Sequence, residues 1–160
     1  MSNISVSDAI VAMRSFPRRY RELVGPPGDD DSWDRLVRTV GRGQARSALG
    51  WTARSGRELA AFGNAISALP THAIVRCHLR SAAEPAEVSN TTSVLTVLQD
   101  LTSAATMAAV ACEARSSADW DRMILLDGIE RSARDVLGHI VQGVAERLTD
   151  VRDALDAARG

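Results

Sequence analysis

Lysine is absent from the 160 residues, and all 19 basic side chains are arginine. Schiff-base and other lysine chemistry is therefore excluded. Cysteine occurs only as Cys77 and Cys112, too few for a disulfide framework and in keeping with a reducing compartment. Each reads as a small core residue rather than a nucleophile. No apolar run approaches the roughly 18 residues of a membrane span, and no basic segment followed by a hydrophobic stretch opens the chain. The expected location is the cytoplasm. Excess charge is lacking too: a net charge of −1 and a pI near 6.3 give no sequence-independent pull on nucleic acid or an anionic membrane, so neither is expected as a partner.

What is present is an ordinary globular composition, 45% hydrophobic and 24% charged, at a length that suits one domain over residues 1–160. The longest helical pattern is the last. Ile129, Ala133, Val136, Ile140, Val144, Leu148, Val151 and Leu155 recur at steps of three and four and draw one apolar stripe. Asp127 with Glu130 reads as a capping box, which predicts a helix over about residues 128–157, roughly 45 Å long.

Earlier in the chain, Ser5 caps a first helix carrying Ile10, Met13, Phe16, Tyr20 and Leu23, with Pro17 expected to kink or divide it. Gly25, Pro26, Pro27 and Gly28 stop it, and the acidic run 29–31 leads into a short helix with Trp33, Leu36 and Val37. Ser47 caps a second long helix that buries Thr52, Leu59, Phe62 and Ile66 and ends near Leu69-Pro70. Residues 71–90 read equally as a short helix or an extended segment. Ser89-Asn90-Thr91 then reads as a cap before Val94, Leu98, Leu101, Ala105, Ala108 and Cys112, a seam whose alanines let a neighbouring helix approach closely. Four long helical patterns predict an all-α four-helix bundle. The flat apolar surface of its staves predicts a homodimer by helix-to-helix packing.

Three stretches carry a resemblance: Ser15-Phe16-Pro17-Arg18-Arg19-Tyr20, Ser47-Ala48-Leu49, and Ala118-Asp119-Trp120-Asp121-Arg122 before Val136-Leu137-Gly138-His139. In order and spacing they resemble the DinB-like superfamily, which includes mycothiol-dependent maleylpyruvate isomerase and thiol-transferase relatives of actinobacteria. The resemblance implies a four-helix bundle holding a divalent metal, such as zinc or nickel, on three histidines: one in the second long helix and two in the last helix, four residues apart. Imidazoles at i and i+4 share a helix face and can chelate one ion. This chain departs from that pattern. The second-helix position falls on Arg54, and the last-helix pair falls on Gln142 and Glu146 or, one residue along, on Gly143 and Arg147. The latter register lies nearer the apolar stripe and is preferred.

A permanently charged guanidinium turned towards a bundle interior needs a carboxylate or an anionic ligand. Glu58, Glu146 and Asp150 are candidate partners for Arg54 and Arg147; a small anion is the other reading, with Trp51 one turn from Arg54 as a pocket wall. Trp33 and Trp120 read as packing residues. His139 and Glu146 form an alternative metal pair, although an exposed histidine beside an acid is the commoner meaning of such spacing. His72, Cys77 and His78 match no zinc module. The sequence thus predicts a DinB-like bundle with a degenerate metal site and no cofactor, binding a small molecule or a protein without catalysis. The alternative is a metal-dependent thiol-transferase or isomerase with a rearranged site.

Overall fold

The computed structural model describes residues 4–27 and 31–160. Gly28 and the first two acids of the run 29–31 lie outside the described residues. Helix α1 (Val6–Val24) starts where expected, the Ser5 side chain accepting from the Asp8 amide. Pro17 does not divide it. The proline removes one backbone donor, but Met13, Phe16 and Tyr20 on either side are all buried and hold the helix against its neighbours. The connecting helix α2 (Asp31–Arg38) is tied back to α1 by the Trp33 indole, which donates to the Val24 carbonyl at 3.0 Å.

Helix α3 (Ala48–Ala68) begins at the Ser47 cap. Segment 71–90, left open by the sequence, contains strand β1 (Arg76–Cys77) and the short helix α4 (Leu79–Ala83). Helix α5 (Val94–Glu113) begins four residues later than the proposed cap: Ser93 caps it, while Ser89 and Thr91 bond to each other in a local turn. The close approach predicted for its alanines is realised against α3. A Cβ on Gly63 would stand 3.3 Å from the Ala108 Cα, and one on Gly56 would stand 3.4 Å from the Leu101 Cα. Contrary to the sequence reading, α5 is long and apolar enough to cross a membrane by length and composition, with a mean hydropathy of 1.4 over 18 residues. Half of that window is buried, with Leu98, Leu101, Ala105, Ala108 and Cys112 in the core, as expected of the central helix of a bundle.

The largest correction concerns the start of the last helix. After the short helix α6 (Ser117–Trp120), residues 123–132 form a β-hairpin, β2 (Met123–Leu126) antiparallel to β3 (Ile129–Ser132), with β1 parallel to the other side of β2. Asp127-Gly128 is the hairpin turn, with φ of 49° and 85°, not a helix cap. Ile124 and Leu126 turn into the core while Ile129 is exposed, so the apolar stripe begins after Ile129. Ser132 caps α7 (Ala133–Arg159), its hydroxyl accepting from the Asp135 amide at 3.1 Å. From Ala133 onward the expected stripe is buried as read. The fold is all-α in its load and layering, with one small three-stranded sheet at the end of the bundle where α4 and α7 begin.

Candidate functional site

Helices α3 and α7 pack side by side and bring three arginine-bearing elements around one cavity. On α3, Arg54 and Glu58 are one turn apart, and the Arg54 Nε donates to Glu58 Oε2 at 3.1 Å. From α7, the Arg147 Nη2 donates to both oxygens of the same carboxylate, at 2.6 and 3.2 Å. Arg147 is 8% and Glu58 5% exposed, so this pair is inside the protein. Of the candidate partners, Glu58 is the one used. Glu146 instead accepts from Gln142 at 2.8 Å on the exposed face of α7.

The network continues inward. Arg147 Nη1 donates to the Ser55 hydroxyl at 3.2 Å, Ser55 and Tyr20 hydroxyls are 2.8 Å apart, and the Tyr20 hydroxyl donates to the Val144 carbonyl at 2.6 Å. Because the Tyr20 proton is committed to Val144, Ser55 must donate to Tyr20 and accept from Arg147. All protons in the chain therefore run one way, from the guanidinium to the α7 backbone. Burial pushes the Tyr20 phenol up to about 12, so it stays a donor at neutral pH.

Arg54, Glu58, Gly143 and Arg147 line a cavity of about 290 Å³ that Leu79 and Arg80 of α4 close from the side, with Asp127 and His139 at its mouth. The three positions chosen from the sequence, Arg54, Gly143 and Arg147, thus converge on one space. Gln142 and Glu146 do not reach it. A second cavity of about 240 Å³ adjoins at Arg80, Asp127 and His139 and runs on between the hairpin and α7, past Arg131, Asp135 and Gln142. Asp127 also positions α4, its carboxylate accepting from the Arg80 amide at 3.2 Å.

Trp51 is not a wall of this cavity. It stands behind Arg54, with the guanidinium carbons of Arg54 and Arg46 5.7 and 5.3 Å from its ring centre. It acts on the site through Arg54, by a cation–π contact. His139 and Glu146 are not brought together, because Glu146 faces solvent and bonds to Gln142. His72 bonds through its ring to the Thr71 hydroxyl at 3.0 Å. Burial pushes the Cys77 and Cys112 thiols up to about 12, so both are protonated, unreactive core residues at neutral pH. Trp120 is buried and Trp33 half-buried, as packing residues should be.

The sequence offers Glu58 as one partner among three, does not single out Ser55 or Arg80, and gives only a structural role to Tyr20 and Asp127. The i, i+4 spacing of Arg54 and Glu58 was the available signal for the first. The Asp-Gly pair between two apolar runs was the signal for the last.

The donor set does not fit a first-row metal ion. Two guanidiniums carry permanent positive charge, and Gly143 has no side-chain donor. Among the described residues, no group of three or more His, Cys, Asp or Glu side chains is placed to hold one.

Architecturally this is an all-α helical bundle. It is similar in structure to a mycothiol-dependent maleylpyruvate isomerase: the TM-score is 0.68 over 94% of this chain, at 10% sequence identity. The chain spans 63% of the length of that protein, and at such identity the likeness is one of fold alone. No protein-family model and no curated protein matches the sequence.

Proposed function

We propose that this chain is a DinB-like bundle that binds a small anionic molecule in the α3–α7 cavity, without a metal ion and without the chemistry of the isomerase whose fold it shares. One observation carries the reading. A single carboxylate, Glu58, serves two guanidiniums, so the floor of the cavity keeps one uncompensated positive charge. Arg80 at the side and Asp127 at the mouth balance each other and leave that excess in place. The Arg54 Nη groups make no hydrogen bond among the described residues, which leaves four N–H donors for an anion. A fold held in common does not carry the reaction with it.

Titration calorimetry with a panel of small mono- and dicarboxylates and inorganic phosphate tests this. At least one should bind, and Arg54→Met, at a side chain 27% exposed and therefore tolerant of change, should weaken it about tenfold or more. Failure of the whole panel, or binding indifferent to Arg54→Met, would sink the proposal. Near-stoichiometric zinc or nickel in protein purified without chelator would restore the metal-dependent thiol-transferase or isomerase reading.

The same proposal includes a homodimer. The outward face of α5 carries Leu95, Met107 and Val110, each more than half exposed, and exposed apolar surface of this kind is commonly covered by a partner. Light scattering should give about twice the 17.1 kDa of one chain. A mass near 17.1 kDa at working concentration would count against it.

A further inference from the structure

On the opposite side of α3 lies a larger cavity, about 380 Å³, between α3, α5 and the segment 84–92 that follows α4. Its walls are small and apolar: Ala53, Gly56 and Ala60 from α3, Val97 and Ala104 from α5, and Val88 from the strap. The space persists because the strap is pinned from outside. Arg46 donates to the Pro85 carbonyl at 2.7 Å, Arg57 donates to the Ala82 and Pro85 carbonyls at 2.7 and 2.9 Å, and the Glu87 carboxylate accepts from the Ser47 amide at 2.9 Å. These bonds hold the strap against the N-terminal half of α3, so it cannot fold down into the gap.

The same bonds decide the charge that the cavity offers. Arg57 and Glu87 both line it, but each is committed to the strap or to the start of α3. Asp100 is the exception. Its carboxylate, on the exposed edge of α5, makes no hydrogen bond or ion pair among the described residues. An apolar cleft of this volume with one unpaired charged side chain at its rim has the composition of a small-molecule site, in which the charged group fixes orientation.

We propose that this groove is a second binding site, taking a small apolar molecule that carries a protonated amine, the hydrocarbon lying against Ala60 and Ala104 and the ammonium meeting Asp100. It is separate from the cationic cavity and does not depend on the reading given to that site. Phenethylamine and its neutral counterpart, phenethyl alcohol, are suitable probes, titrated against the intact protein by ligand-observed NMR. The amine should bind more tightly than the alcohol. Asp100→Asn should weaken the amine by about threefold to fivefold, the range of an exposed ion pair, and leave the alcohol unchanged. Ala60→Leu, at an exposed position where added bulk does not disturb the core, should weaken both. Equal affinity for the two probes, no binding of either, or indifference to Ala60→Leu would overturn the proposal. Conversion of a dimer into a monomer by Ala60→Leu would also overturn it, because the groove would then belong to a second copy of the chain.

Discussion

Glu58→Ala should lower the unfolding free energy by about 3–5 kcal/mol, the cost of removing one member of a buried ion pair and leaving the other charge unpaired. Arg147 keeps its charge, and at 8% exposure it would be left with the Ser55 hydroxyl as its side-chain partner. The Arg54 contact adds little to this figure, since its side chain is 27% exposed and can turn outward. The contrast is the double variant Glu58→Leu with Arg147→Met. It replaces both charges by apolar groups of similar length, and should fall within about 1–2 kcal/mol of the parent, because the desolvation cost of the pair is removed along with its attraction. Urea unfolding of the two variants measures the difference. The proposed function adds a second readout: Glu58→Gln keeps the shape but removes the negative charge, so it should bind small anions more tightly while being less stable. A loss below about 1 kcal/mol on Glu58→Ala would mean that the pair behaves as a solvent-screened one despite its burial.

The bundle was legible because its helices bury one face each and are capped by serine. Ser5, Ser47 and the stripe from Ala133 to Leu155 needed only periodicity and local hydrogen-bonding chemistry to be read. Position 129 was misread because Ile129 happens to fall in phase with the helical stripe that starts four residues later, and an isoleucine fits either period. The Asp127-Gly128 pair carried the decisive information, as only a turn with positive φ at both positions needs it. The strand partner, Cys77, is 49 residues away in sequence from Leu126, and no local pattern announces a two-residue strand. In the site, the helix wheel puts Gly143 and Arg147 nearer the buried stripe than Gln142 and Glu146, as their burial shows, but leaves Arg54 at the edge of its own face. What turns Arg54 inward is Glu58, one turn on, which is itself held by an arginine from a different helix. Such three-body placement is tertiary, and a single wheel cannot show it.

Introducing histidines at positions 54, 143 and 147 is the stronger test of whether these positions share one space. The triple variant Arg54→His, Gly143→His and Arg147→His should bind one zinc ion per chain, with affinity on the order of micromolar or tighter, and the parent should bind none at that affinity. The three positions line one cavity, and 143 and 147 are one turn apart on the same face of α7. There is room: a Cβ on Gly143 would meet only the Arg147 Nη2, at 3.4 Å, and that atom is gone in the variant. Glu58 would lose both arginine partners but would stand beside the new imidazoles, where a carboxylate accepting a ring N–H fixes the tautomer and raises ligand basicity. Without metal the variant should be less stable than the parent, because Glu58 is then a buried charge with no cation. Added zinc should raise its melting temperature in a concentration-dependent way. The control is the neighbouring register: Arg54→His with Gln142→His and Glu146→His places two imidazoles on the exposed face, where Gln142 and Glu146 now bond to each other in solvent. That variant should bind zinc more weakly than the first, because its imidazoles on the exposed face of α7 receive no ligand from α3. Equal zinc affinity of the two variants, or no uptake by the first, would show that positions 54, 143 and 147 do not converge closely enough to share one ion.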